Sequence, residues 1–171
     1  MSASRSISEH LSAVLALAPA PRAESVPVGP ALRGRVLAED ATARFPVPPF
    51  ANSAMDGFLV RATDISGTGP GPWTLPVAGD VPAGATAQEV PAGQAVRIMT
   101  GAPVGDATGL IVVPVEDTTV PPGPTQLPSE VTITAAPTKS HIRTAGEDIQ
   151  PGIIVATAGI TANAAVIAAL I

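Results

Sequence analysis

Residues 46–58 read Pro46-Val47-Pro48-Pro49-Phe50-Ala51-Asn52-Ser53-Ala54-Met55-Asp56-Gly57-Phe58. Three prolines in the first four positions stiffen the entry and rule out a helix interior, because proline has no amide donor and clashes with the turn before it. The small residues that follow let a ligand come close to the backbone. Asp56-Gly57 is a turn dipeptide, and the apolar run after it predicts a strand over Gly57–Arg61. The chain therefore enters a sheet at Gly57.

Working outward, short apolar runs alternate with turn residues. Strands are expected at Arg35–Ala38, Trp73–Val77, Leu110–Val115 and Ile153–Val155, and Gln94–Met99 reads as a strand or a short helix. Leu110–Val115 is almost continuously apolar, the pattern of a central, buried strand. Glu130–Ala135 alternates Val131, Ile133 and Ala135 with polar neighbours, so it should be half exposed. Asp64–Pro72 and Gly79–Gly84 read as turns. The 171 residues hold 20 prolines and 16 glycines, a load that argues against a helical bundle. Apolar content of 46% with only 13% charged residues is the reverse of a disordered composition.

Composition also excludes chemistry. Without cysteine there is no disulfide, thiolate metal site or thiol nucleophile. His10 and His141 cannot build a three-histidine metal site, and neither sits in a nucleophile context. Nine basic residues are scattered through a chain of net charge −5, which argues against a nucleic-acid surface. No phosphate-binding Gly-x-x-x-x-Gly-Lys motif precedes Lys139, the only lysine. Nothing implies secretion, so the cytoplasm is the expected location.

Both ends need separate reading. Ser6-Ile7-Ser8-Glu9 has capping-box spacing, and Ile7, Leu11, Val14, Leu15 and Ala18 share one helical face. Residues 1–18 are thus expected to form an amphipathic helix rather than a signal peptide. Val28–Arg33 reads as a short helix stopped by Gly34. From Ile149 to Ile171 no residue is charged, a length that matches a membrane span. Pro151, Gly152 and Gly159 break that stretch, which reads better as a strand followed by a helix over Ala162–Ile171 capped by Thr161. That helix is apolar nearly all round and needs further protein to cover it. Helical segments at the ends and strands between them predict an α+β, strand-rich fold. Residues 1–45 and 138–171 would form a discontinuous α/β domain, with a β domain inserted at 46–137.

Four loops concentrate acidic and small residues. Asp56 at a strand entrance could hold a hard cation or a water. Thr100-Gly101, after Arg97-Ile98-Met99, offers a hydroxyl and an open backbone to an oxyanion or phosphate. Arg143, with Glu147 and Asp148, could bind an anion or a metal. Glu116-Asp117 is a further acidic pair. Taken singly, each loop reads more simply as a surface turn with local pairing.

In sequence order, residues 46–58, Arg97–Pro103, Val112–Thr118 and Arg143–Ile149 together resemble the N-terminal part of the molybdopterin molybdenumtransferases, the MoeA/gephyrin E-domain family. The resemblance covers essentially the whole chain, and Asn52–Gly57 is its most specific block. It implies an elongated domain I built from both ends and an inserted β domain II. It also implies an enzyme that inserts molybdate into adenylylated molybdopterin, uses Mg²⁺ and releases AMP. The family resemblance further implies a homodimer whose cleft lies between domain II of one protomer and the later domains of the other. By it, Asp56 is the acidic active-site position and a Mg²⁺ ligand, with Asn52 and Ser53 in the same substrate-binding loop. Thr100, in the cleft loop, is the second catalytic position, and Gly101 beside it and Arg143 are substrate contacts. Glu147 and Asp148 are further metal positions, and a structural role stays open for them and for Arg143. Domains III and IV are expected beyond Ile171, and this piece alone should be inactive. Where the family has Gly-Ala-Asp-Ala, the chain has Thr108-Gly109-Leu110-Ile111. That loss of an acid keeps open a second reading, a gephyrin-like scaffold without insertase activity.

Overall fold

The computed structural model describes residues 5–66 and 71–171. Its helices are α1 (Ile7–Leu15), α2 (Ala62–Ser66) and α3 (Ala164–Leu170). Its strands are β1 (Ala41–Thr42), β2 (Asn52–Ser53), β3 (Gly57–Arg61), β4 (Trp73–Val81), β5 (Ala95–Ile98), β6 (Leu110–Pro114), β7 (Glu130–Ile133), β8 (Ile142–Arg143) and β9 (Ile154–Ala156). The fold is α+β and strand-rich, as the turn-rich sequence predicts.

The centre is a five-stranded sheet in the order β6-β3-β5-β4-β7. β3 runs antiparallel to β5 and β6, β4 runs antiparallel to β7, and β4 and β5 are parallel. A parallel pair needs a long connection, which residues 82–94 supply. Alternation along β3 splits the apolar residues between two faces. Phe58 and Val60 join Leu75, Ala95, Val113, Val131 and Ile133 on one side. Leu59 joins Val81, Val96, Ile98 and Val112 on the other.

Burial of both faces corrects one expectation. Leu110–Pro114 is apolar throughout, yet β6 is an edge strand and not a central one. A continuous apolar run reports that both faces are covered and says nothing of how many strands flank it. The Val112 amide donates to Ser140 O at 2.8 Å, which satisfies part of that edge. β4 extends through Val81, past the turn expected from Gly79, with a register shift between Val77 and Gly79.

Two compact units are present. One is Thr42–Ile154, which contains the five-stranded sheet and the β2–β8 pair. The other combines the described residues up to Ala41 with Val155–Ile171. Its core is small: Leu32, Ala156, Ala162 and Val166. There α1 begins with the expected capping box, with Ser6 N donating to Glu9 Oε2 at 2.7 Å and Glu9 N to Ser6 Oγ at 3.3 Å. α1 buries none of its residues. The short helix after Val28 is one 3₁₀ turn, Pro30–Leu32.

Three local expectations change. Arg35–Ala38 is not a regular strand; Val36 makes a single bridge to Thr161. Asn163 rather than Thr161 caps α3, accepting from Val166 N at 3.0 Å, because its side chain lies at the required offset from the helix amides. Residues 64–66 of the expected Asp64–Pro72 turn lie in the helix Ala62–Ser66, and residues 67–70 of that turn lie outside the described residues. Among the described residues no helix is long and apolar enough to cross a membrane.

Candidate functional site

The four sequence blocks meet around β2 and the start of β3. β2 pairs with β8 on one side, Asn52 opposite Arg143 and Ser53 opposite Ile142. On the other side it zips to the loop after β5. Gly101 N donates to Ser53 O at 2.8 Å, Ser53 N to Ala102 O at 3.0 Å and Val104 N to Ala51 O at 2.9 Å. Gly101 has φ 79°, a left-handed conformation that glycine adopts without strain. The Val115 amide donates to Asp56 O at 3.0 Å, which brings the Glu116-Asp117 block to the same corner.

Asp56 is exposed at the entrance to β3. Its Oδ1 accepts from Thr100 N at 2.7 Å and from Thr100 Oγ1 at 2.7 Å. These bonds, backbone first and hydroxyl second, hold its carboxyl below the usual carboxylate range. Asp56 is therefore a carboxylate at neutral pH. Its Oδ2 makes no hydrogen bond among the described residues. The Thr100 amide, the Thr100 hydroxyl proton and the Gly101 amide are all committed inside the protein. In this arrangement Thr100 orients Asp56, and its remaining capacity is the hydroxyl lone pairs.

Asn52 and Ser53 lie beneath the surface at 6% and 1% exposure. Ser53 Oγ donates to Met55 O at 2.6 Å and accepts from Met55 N at 3.3 Å, so it shapes the turn that leads to Asp56. Asn52 Nδ2 donates to Phe50 O at 3.1 Å. Arg143 is held by both acids of its own motif, 2.6 Å from Asp148 Oδ2 and 3.6 Å from Glu147 Oε1. Those partners, Asp148 foremost, push its pKa up. Glu147 also accepts from Thr144 N at 3.1 Å. This trio ties the Arg143–Ile149 block into a closed turn. Among the described residues no group of three His, Asp or Glu side chains could hold a metal by itself.

Asp56 opens onto a cavity of about 270 Å³ lined by Gly57, Phe58, Arg97, Met99 and Val115 and, from a proline-rich segment, by Val120, Pro121, Gly123, Pro124 and Thr125. Arg97 is a lining residue not singled out as a site from the sequence. Its signal is a cation inside an apolar strand: Val96 and Ile98 enter one core, while Arg97 lies opposite Phe58 on the other face. A larger hollow of about 390 Å³ is lined by Arg61, Gln88, Glu89, Asp106 and Thr108, and none of the expected site residues borders it.

A strand-rich β unit that brings four such blocks to one exposed carboxylate defines a class. Residues 5–171 match the family described as the MoeA N-terminal region (domain I and II), and the chain belongs to that family. It is 44% identical over 156 residues to molybdopterin molybdenumtransferase 2 of Mycobacterium tuberculosis, covering 88% of this chain and 36% of that protein. Identity to molybdopterin molybdenumtransferase 1 of the same organism is 32%, covering 94% of this chain and 40% of that protein. A solved molybdopterin biosynthesis MoeA structure from Pyrococcus horikoshii superposes with a TM-score of 0.70 at 32% identity, over 86% of this chain and 38% of that one. The chain thus spans about two fifths of these relatives' length.

Proposed function

We propose that this chain supplies domains I and II of a molybdopterin molybdenumtransferase, the enzyme that inserts molybdate into adenylylated molybdopterin and releases AMP in molybdenum cofactor biosynthesis. The observation that carries the reading is the Asp56–Thr100 pair at the junction of all four family blocks, in a chain 44% identical to a relative of that name. The working protein is a cytoplasmic homodimer, and this portion forms half of its cleft, with domains III and IV supplying the rest. By itself the portion is inactive.

The chain's residues act by placement and electrostatics. Thr100 fixes Asp56 with two hydrogen bonds and keeps it ionised. Asn52 and Ser53 hold the loop that presents it. Mg²⁺ fits this site with Asp56 as its single protein carboxylate, since Mg²⁺ is commonly bound by one or two carboxylates with phosphates and waters. When bound, the cation neutralises charge on phosphate oxygens. Glu147 and Asp148 serve Arg143 rather than the cation. Leu110 is partly buried against the Val112 cluster, so its apolar side chain is accounted for by packing and does not favour the scaffold reading.

The test combines this chain with domains III and IV, in cis or in trans, and measures molybdate-dependent conversion of adenylylated molybdopterin to AMP. Asp56→Asn is expected to lower kcat/KM about 100-fold while the fold persists, the scale of removing one placed electrostatic group. An Asp56→Asn protein with unchanged kcat/KM would overturn the role of Asp56. An assembled protein with no transfer at all would leave the scaffold reading.

A further inference from the structure

We propose that Arg97 is a positioning residue for the Asp56 site: its guanidinium, anchored on Asp80, holds the proline-rich segment that walls the cavity. This rests on the reading of that cavity as a substrate site. Arg97 on β5 stands opposite Asp80 on the parallel strand β4 and opposite Phe58 on β3. Its Nε donates to Asp80 Oδ1 at 3.0 Å and one terminal nitrogen donates to Asp80 Oδ2 at 2.6 Å. This is a two-point fork on a pair whose side chains are only 14% and 32% exposed. The other terminal nitrogen donates to Thr125 O at 2.9 Å.

That third bond matters because of what it reaches. Residues 121–128 read Pro121-Pro122-Gly123-Pro124-Thr125-Gln126-Leu127-Pro128. Four prolines supply no amide donors. Among the described residues, the bond from Arg97 is the only hydrogen bond made to this segment. The segment nevertheless gives Pro121, Gly123, Pro124 and Thr125 to the cavity beside Asp56. Between Val120, whose amide donates to Thr118 Oγ1 at 3.1 Å, and Ser129, whose carbonyl accepts from Val77 N at 2.9 Å, the wall has no backbone network and is pinned at one point, by an arginine whose other edge is locked to the sheet. Arginine suits this task because its planar fork serves carboxylate and carbonyl together, whereas a lysine ammonium is a point charge. Asp56 keeps its own partners on Thr100, so loss of the tether changes the wall and not the carboxylate.

Two readouts test the tether. In the full chain, ¹⁵N relaxation of the Gly123, Thr125 and Gln126 amides should report order parameters near 0.85 in the wild type and below about 0.6 in Arg97→Lys. In the protein assembled with domains III and IV, Arg97→Lys should raise KM about tenfold and leave kcat within about twofold, the pattern of lost uniform binding. Asp80→Asn keeps the arginine but weakens its anchor, and should give smaller effects in the same direction. The charge swap Asp80→Arg with Arg97→Asp re-forms the sheet ion pair without the donor to Thr125. It should recover Tm yet leave the segment loose and KM raised. Rigid segment amides in Arg97→Lys and Asp80→Asn would overturn the proposal, as would recovery of KM in the swap. If the wild-type assembly shows no transfer, the functional reading falls, and the order parameters alone decide the tether.

Discussion

Asp56 gives up its proton more readily than an ordinary carboxylate because Thr100 donates two hydrogen bonds to one of its oxygens. Its folded-state pKa therefore lies below its unfolded value of about 3.9. The stabilisation from this pair is fully present above that value and is lost as pH falls through the folded pKa. Thr100→Val removes the hydroxyl donor and keeps the amide. The Asp56 carboxyl titration followed by NMR should then move up towards the usual range without reaching it. An unmoved midpoint would show that the hydroxyl contributes nothing. Asp56 and Thr100 were legible in the sequence as members of two motifs, but their direct bond was not. They are 44 residues apart, and only pairing of the loops could bring them together. Arg97 was legible as a cation in an apolar run, while its partners on β4 and in the 121–128 segment lie outside any local pattern.

At the scale of elements, β3 sits between β5 and β6, and its first residue tolerates no side chain. A Cβ placed on Gly57 would lie 2.0 Å from Val113 O, a backbone atom that cannot turn aside. Gly57→Ala must push β3 and β6 apart, with an expected loss of about 3 kcal/mol in denaturant unfolding, at the upper end of ordinary overpacking. A loss under about 0.5 kcal/mol would mean that the sheet edge yields freely. β3 itself was predicted with its observed bounds, since a turn dipeptide followed by a short apolar run is a strong local signal. The capping box of α1 was equally readable, because its partners are three residues apart. The position of β6 at the edge and the parallel pairing of β4 with β5 were not, since strand order is decided by long-range contacts.

For the whole molecule, the two units differ in what holds them. Thr42–Ile154 has two clusters of buried side chains, many with under 2% exposure, whereas the other unit closes around four residues. Opening free energy follows buried apolar contact. Native-state hydrogen exchange should show the Leu37 and Ala162 amides, bonded to Ile160 and Arg35, exchanging at least about tenfold faster than those of Leu59 and Val60. Equal protection in both units would mean that they open together.

The sequence by itself determined the fold class, the family, the strand after Asp56 and the helix start at Ser6. Each of these depends on residue type, on spacing within a few positions, or on the order of motifs along the chain. Tertiary structure decided which blocks touch, that Thr100 serves Asp56, that Glu147 and Asp148 serve Arg143, and that Arg97 reaches Thr125. Those outcomes depend on strand order and register, which follow from burying both faces of one sheet at once and cannot be computed from any local stretch.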